Sequence, residues 1–274
     1  MAECTHDCST CSQKCSAKDK ESLLAKPNAG SNIKRIIGVV SGKGGVGKSS
    51  VTTLLAVAMA RRGYRVGIMD ADVTGPSIPK AFGLHTGTIL GNENGMIPAE
   101  TAGGIRVMSV NLLVEEEERP VVWRGPVIAG VITQFYSDVA WGDLDFLFID
   151  MPPGTGDVPL TVFQSLPLDG IIIVTSPQEL VSLIVQKAIN MAEMMSVPVL
   201  GLVENFSYFV CPNCSERHSI FGESRIDDVA AKNNTRVLGR LPFDSRVASL
   251  CDKGEAERLD TAAVDTVCDA ILAK

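Results

Sequence analysis

Residues 42–49 read Gly42-Lys43-Gly44-Gly45-Val46-Gly47-Lys48-Ser49, with an apolar run before them and an apolar helical run, residues 50–61, after them. This matches G-x-x-x-x-G-K-[ST] between a strand and a helix, the context that separates a phosphate loop from an ordinary glycine-rich turn. Glycines let the backbone wrap a phosphate with its N–H groups, and the N-terminus of the next helix adds positive partial charge. Lys48 is placed to reach β- and γ-phosphates and Ser49 to ligate Mg2+. A strand, a loop and a helix of this kind require further strands to pair with, so the rest of the chain should alternate between the two periods.

From residue 33 onward it does. Residues 35–41, 65–70, 105–110, 146–150, 170–175, 197–204 and 237–241 are apolar at nearly every position, as strands covered on both faces are. Helical periods lie between them. In residues 178–195 the stripe is Leu180, Ile184, Ala188, Met191 and Met195, and near the C-terminus it is Val264, Val267, Ile271 and Leu272. The expected fold is α/β, a doubly wound, mostly parallel sheet with helices on both faces. Residues 1–32 are rich in Cys, Ser and Lys and have no apolar period. They read as a flexible extension ahead of a single P-loop domain, residues 33–274.

Two further pieces suit a nucleotide site. The second strand ends in Asp70-Ala71-Asp72, and ligands of open α/β sheets bind at the C-terminal ends of strands. Residues 146–150 are an apolar strand ending in Asp150, the form of a Mg2+ position, and continue into Met151-Pro152-Pro153-Gly154-Thr155-Gly156-Asp157, a turn suited to sensing a γ-phosphate. Lys43 comes too early in the loop to replace Lys48. It is either a solvated lysine or one that points toward a nucleotide on a second subunit, as an arginine finger does.

The net charge of -7 argues against nucleic acid and anionic membrane as partners, since both call for a surplus of Lys and Arg. No apolar run reaches the ~18–20 residues of a membrane span, and the first residues lack the apolar centre of a signal peptide. A cytoplasmic protein is expected, in which the eight cysteines are not structural disulfides. Cys4, Cys8, Cys11 and Cys15 are spaced C-x3-C-x2-C-x3-C. Four thiolates suffice for one Zn2+, with His6 as a possible substitute ligand, or for one 4Fe–4S cluster; free thiols are the alternative. Cys211 and Cys214 form C-x2-C in what reads as a loop, residues 209–219. Two thiols do not complete a tetrahedral site. Either His218 and another group join them around Zn2+, or a second subunit brings the other pair, or the pair is redox-active. Cys251 and Cys268 read as ordinary partly buried thiols, and the acidic run at residues 115–118 as a solvated loop.

Together with the phosphate loop, residues 70–79 (DADVTGPSIP), 123–126 (WRGP), 150–157 (DMPPGTGD), 204–214 (ENFSYFVCPNC) and 241–244 (LPFD) make the chain resemble the Mrp branch of the deviant Walker group, which also contains MinD, ParA and the nitrogenase iron protein. The resemblance covers nearly all of the chain from residue 33. Members of this branch are ATP-binding iron–sulfur cluster carriers. The resemblance implies that Lys43 acts across a homodimer and that Lys48, Ser49 and Ser50 hold phosphates and Mg2+. It implies that Asp72 orients the attacking water, that Asp150 holds Mg2+ through water, and that Gly154 meets the γ-phosphate. Asn205 would contact adenine, helped by the loop around Pro242, and Cys211 and Cys214 would ligate a bridging 4Fe–4S cluster bound for apo iron–sulfur proteins. Hydrolysis would be slow. Thr74 stands where many relatives have an aromatic residue or His, Val127 where Met is common, and the N-terminal cysteines are closer together than in eukaryotic relatives. Two other functions fit less of the sequence. A MinD- or ParA-like positioning switch calls for a basic C-terminal helix, whereas residues 260–274 carry Asp260, Asp265 and Asp269. A zinc-stabilised nucleotide-binding scaffold would have no turnover.

Overall fold

The structure, a computed structural model, describes residues 24–73, 75, 77–114, 125–177 and 181–273. Its strands are β1 (Ser31–Ile33), β2 (Ile36–Val40), β3 (Val66–Asp70), β4 (Leu90–Asn92), β5 (Gly95–Ile97), β6 (Ala99–Glu100), β7 (Arg106–Ser109), β8 (Gly142–Leu144), β9 (Phe146–Asp150), β10 (Gly170–Thr175), β11 (Val199–Val210), β12 (Arg217–His218) and β13 (Val237–Pro242). The helices are α1 (Lys48–Arg61), α2 (Ile78–Ala81), α3 (Gly125–Ser137), α4 (Asp157–Ser165), α5 (Val181–Met194), α6 (Ile226–Lys232), α7 (Ser245–Asp252) and α8 (Asp265–Leu272).

The central sheet runs β13-β11-β10-β2-β9-β3-β7, and every neighbouring pair in it is parallel. Two short antiparallel strands finish it, β6 against β7 and β12 against the far end of β11. The chain leaves β2 for β3 and β7 on one side, returns to fill the gap with β9, then crosses to β10 on the other side. Strand order therefore reverses at β2 and β9. The loops leaving those strands diverge and open a crevice at their C-terminal ends.

Side chains of successive strand residues point to opposite faces, and this divides the sheet's apolar residues between two cores. Ile37, Val39, Ile68 and Phe148 face α1 and α8. Ile36, Val40, Leu147 and Ile149 face α3, α4 and α5. α1 is buried at every position from Val51 to Met59, because the sheet covers one side of it and α8 and the C-terminal turns cover the other. A helix enclosed all round needs no polar stripe.

The seven expected core strands are all present. β11 differs from its reading: it runs on past Glu204 to Val210, and its pairing with β13 is irregular between Glu204 and Tyr208. Phe206, in that stretch, has φ 58°, a left-handed conformation that bends the strand and lets it continue beyond the sheet. The stripe on α5 is also rotated. Val185, Ala188, Ile189 and Ala192 are buried, while Ile184, Met191 and Met195 lie along the rim and Leu180 is outside the described residues. Alanine, valine and isoleucine side chains sit closest to the sheet and the longer methionines cover its flank. Ahead of the core, the Ala25 N–H donates to the Ser165 carbonyl at 2.8 Å and β1 pairs with β8, so residues on the near side of the expected boundary at 32 are bonded to the body.

At the opposite ends of the strands from the crevice, Asp145 accepts from Lys34 Nζ and from the Arg65 N–H, at 2.7 and 2.8 Å. These donors hold its carboxyl well below the usual carboxylate range. A depressed folded pKa contributes stability above the unfolded value of ~3.9, and that stability is lost as pH falls through the folded value. Asp145→Asn should therefore unfold at lower urea than the parent at pH 7, with the gap closing below about pH 4. A gap of constant size from pH 7 to pH 2 in urea titrations would contradict this account of Asp145.

Candidate functional site

The phosphate loop joins β2 to α1 within the crevice. Gly45 and Gly47 have φ of 80° and 76°, values that a residue with a Cβ adopts only at a cost. Gly47 is also crowded: a Cβ there would lie 2.2 Å from Asn205 Nδ2. The loop, with Ser41, Asp72 and Pro153, lines a cleft of ≈ 200 Å³. Lys48, Ser49 and Ser50 open onto it from the first turn of α1, where helix N–H groups lack partners within the helix. The Ser41 hydroxyl, buried at the cleft wall, has no hydrogen-bond partner. An unmet donor and a glycine cradle at a helix N-terminus fit a phosphate.

Asp150, wholly buried at the end of β9, is the centre of the polar network. Its Oδ2 accepts from Lys48 Nζ at 2.8 Å and from Ser49 Oγ at 2.5 Å, and its Oδ1 accepts from Thr52 Oγ1 at 2.7 Å. Asp72 Oδ2 lies 3.6 Å from Lys48 Nζ. Asp70 is level with Asp150 on the neighbouring strand. It accepts from the Asp72 N–H at 3.1 Å and from Ser109 Oγ at 3.2 Å. Burial, then the Asp150 charge, push the Asp70 carboxyl well above the usual range. Ser49 and Asp150 thus present oxygen donors at one point, the donor set a Mg2+ ion takes. The sequence reading passed over Thr52. It stands one turn after Ser49 on the same helix face, and that spacing could have found it.

Gly154 has φ 91°, and its N–H donates to the Ser41 carbonyl at 2.8 Å. The turn after Asp150 is therefore latched to the end of β2. Lys43 is exposed. Asn205, buried on β11, donates from Nδ2 to the Val46 carbonyl at 3.0 Å, so it braces the loop from beneath. Pro242 closes β13 opposite Tyr208. Beside these two residues the rings of Phe206 and Phe243 meet at 5.7 Å, an aromatic pair that the sequence reading did not single out although each directly follows a residue that it did.

The second group of site residues lies at the far end of β11. Phe209 and Val210 pair with His218 and Arg217, so the segment read as a loop is a hairpin. The Cys211 N–H donates to the Glu216 carbonyl and the Ser215 N–H to the Cys211 carbonyl, at 2.9 and 2.8 Å. The hairpin's base is pinned by Glu204, which is buried and accepts from Ser207 Oγ at 2.5 Å and Ser224 Oγ at 2.7 Å. The sulfurs of Cys211 and Cys214 and a ring nitrogen of His218 all lie within 4.8 Å of one another. The N–H groups of Cys214 and Asn213 hold the Cys211 thiol below its ordinary range. By contrast, burial pushes the Cys268 thiol up to about 11 and raises Cys251, which leaves both inert at neutral pH. Cys4, Cys8, Cys11, Cys15, Thr74 and Trp123 are outside the described residues. Among the described residues no helix is long and apolar enough to cross a membrane.

The family model described as ParA, NUBPL iron-transfer P-loop NTPase, matches residues 32–273. An iron-sulfur cluster carrier protein of Methanocaldococcus jannaschii is 46% identical over 260 residues, 93% of this chain and 90% of that one. A cytosolic Fe-S cluster assembly factor of Kluyveromyces lactis is 43% identical over 84% of each. Among solved structures, a nucleotide-binding protein of Archaeoglobus fulgidus in complex with ADP, in which cobalt was found, has 45% identity and a TM-score of 0.75 over 89% of this chain and 93% of its own. The cell-division ATPase MinD of Pyrococcus furiosus shares the fold at 20% identity, with a TM-score of 0.64 over 88% of this chain and 99% of its own. On the phosphate loop, the fold and the match over nearly the whole chain, this protein belongs to the NUBPL iron-transfer P-loop NTPase family.

Proposed function

We propose that this chain is a cytoplasmic, ATP-dependent iron–sulfur cluster carrier. Two copies bind ATP with Mg2+, hydrolyse it slowly, hold one 4Fe–4S cluster between their Cys211 and Cys214 pairs, and pass it to apo iron–sulfur proteins. The observation that carries this reading is the course of β11. One strand braces the phosphate loop through Asn205 and, six residues later, presents Cys211. The carrier and assembly-factor names of the relatives support the cargo.

In the nucleotide site, Lys48 now shares its charge with Asp150, and a β- or γ-phosphate gives it a second anion to face. Ser49, with Asp150 acting through water, would hold Mg2+, which neutralises charge on the phosphates. Asp72, beside Lys48, is placed to orient the attacking water. Gly154 can give its N–H to a γ-phosphate only by releasing the Ser41 carbonyl, so the presence of that phosphate is felt at the end of β2. Lys43, exposed in the loop, is assigned to a nucleotide on the second copy. Asn205 and Pro242 are assigned to the adenine, with Phe206 and Phe243 beside them. Slow hydrolysis is expected, because switch residues alone rarely give fast turnover.

The positioning-switch alternative loses its anchor. α8 buries Val267, Cys268 and Ile271, and its Asp265 and Asp269 each pair with Arg62 at 2.7 Å. It is part of the body and presents no basic face to a membrane.

Lys48→Ala is expected to abolish ATP binding in a fluorescent-nucleotide titration. Lys43→Ala should bind nearly as well as the parent but release phosphate more slowly. Equal loss of binding in the two would remove Lys43 from a role across the dimer. For the cargo, the full chain with Cys4, Cys8, Cys11 and Cys15 changed to Ser should hold about four irons per dimer after anaerobic reconstitution. Adding Cys211→Ala or Cys214→Ala should remove that iron and much of the dimer while ATP still binds. The parent chain should carry further iron or zinc on its four tail cysteines, and an unchanged metal count would mean that those thiols are free.

A further inference from the structure

We propose that a single protomer holds a divalent ion of the zinc class through three ligands of its own, Cys211 Sγ, Cys214 Sγ and one ring nitrogen of His218, with the fourth position open. The proposal deepens the reading of this hairpin as a metal-holding element and rests on it, but it needs no second subunit.

The geometry follows from strand pairing. His218 is directly opposite Phe209, and directly opposed residues of an antiparallel pair share a face. Phe209 and Cys211 are two apart on one chain and share that face too. His218 is therefore the diagonal neighbour of Cys211, within reach of a long side chain. The turn after Cys211 brings Cys214 back to the same place, and the three ligand atoms lie within 4.8 Å of one another. With metal–sulfur bonds of ~2.3 Å and metal–nitrogen bonds of ~2.0–2.1 Å, tetrahedral ligand atoms are about 3.5–3.8 Å apart. Closing the set on an ion thus takes roughly 1 Å of movement in side chains that are exposed or half-buried. On the other face of the hairpin Arg217 stacks over the Tyr208 ring at 4.6 Å, so its guanidinium is turned away from the sulfurs.

Two thiolates and an imidazole select Zn2+ and similar borderline ions over Mg2+ or Ca2+. Binding exchanges two thiol protons for the ion, while neutral His218 gives a lone pair and no proton. Three protein ligands leave the fourth position to water or another small ligand, in contrast to a closed structural site. The ion and a bridging cluster need the same two thiolates, so they exclude each other. The ion-loaded form is the monomer's, and the ion must leave before two copies can share a cluster.

The test uses the full chain with Cys4, Cys8, Cys11 and Cys15 changed to Ser, titrated anaerobically with Co2+ and back-titrated with Zn2+. The expected result is one Co2+ per chain on a species that is monomeric by light scattering, with intense tetrahedral ligand-field bands and sulfur-to-cobalt charge transfer. His218→Ala should weaken binding by more than ~10-fold, since even an outer-shell change costs that much, and should shift the ligand-field bands. Cys211→Ser should diminish the charge-transfer band. Unchanged ATP binding in each variant verifies the fold. If His218→Ala leaves affinity and spectrum as they were while Cys211→Ser does not, or if Co2+ appears only at half an ion per chain on dimers, the three-ligand site is overturned and the hairpin still holds metal. If Cys211→Ser also changes nothing, both readings fail together.

Discussion

A carboxylate with no solvent exposure, at the end of an interior strand of the sheet, has to be answered by donors. Asp150 takes three of them, Lys48, Ser49 and Thr52, all from α1. Burying an anion without such partners costs several kcal/mol. This one requirement fixes how deeply α1 lies against β9 and where the phosphate loop emerges. β2 and β3 pair with β9 on either side, so the loops leaving all three strands take their positions from the same anchor. The enclosure of α1 follows from it as well, since a helix held that close to the sheet must be roofed by α8 and the C-terminal turns.

Much of this was legible in the sequence because the responsible patterns are local. A strand buried on both faces shows as an apolar run whatever it pairs with, and a phosphate loop is contiguous. The misread parts depend on distant partners or on ambiguous periods. Residues 205–210 mix Asn205 and Ser207 with aromatics ahead of a Cys-Pro-Asn-Cys turn, which resembles a loop until β12 pairs back onto it. β12 is two residues long and exposed, too short to carry any alternation. On α5, adjacent positions such as Ile184 and Val185 are both apolar, so a helical period fits either of two faces, and only the sheet decides between them. Thr52 was hidden for a related reason: a helix buried on all sides has no stripe to direct attention to one polar member. His218 could be named as a possible ligand, but its closeness to Cys211 depends on the register of the hairpin.

The two halves of the site are held by different means. The phosphate loop is fixed by buried charge and by the close approach of Asn205 to Gly47. The cysteine hairpin is fixed by two ladder pairs and by Glu204, which draws Ser207 on the strand and Ser224 beyond the hairpin onto one carboxylate. Phe206, left-handed between them, is the point where the strand stops being a member of the sheet and becomes a support for something outside it.

That division sets how the protein can vary over evolutionary time. The hairpin projects past the last core residue of β11 and sends no side chain beyond Ser207 into either apolar cluster. Ligands can be exchanged there, or the turn lengthened, without disturbing a packed interior. The phosphate loop has no such latitude, because Gly42 and Gly47 are closed in by Ile184 and Asn205 and Lys48 is tied to the buried Asp150. A lineage built on this frame would keep its fuel and diversify its freight.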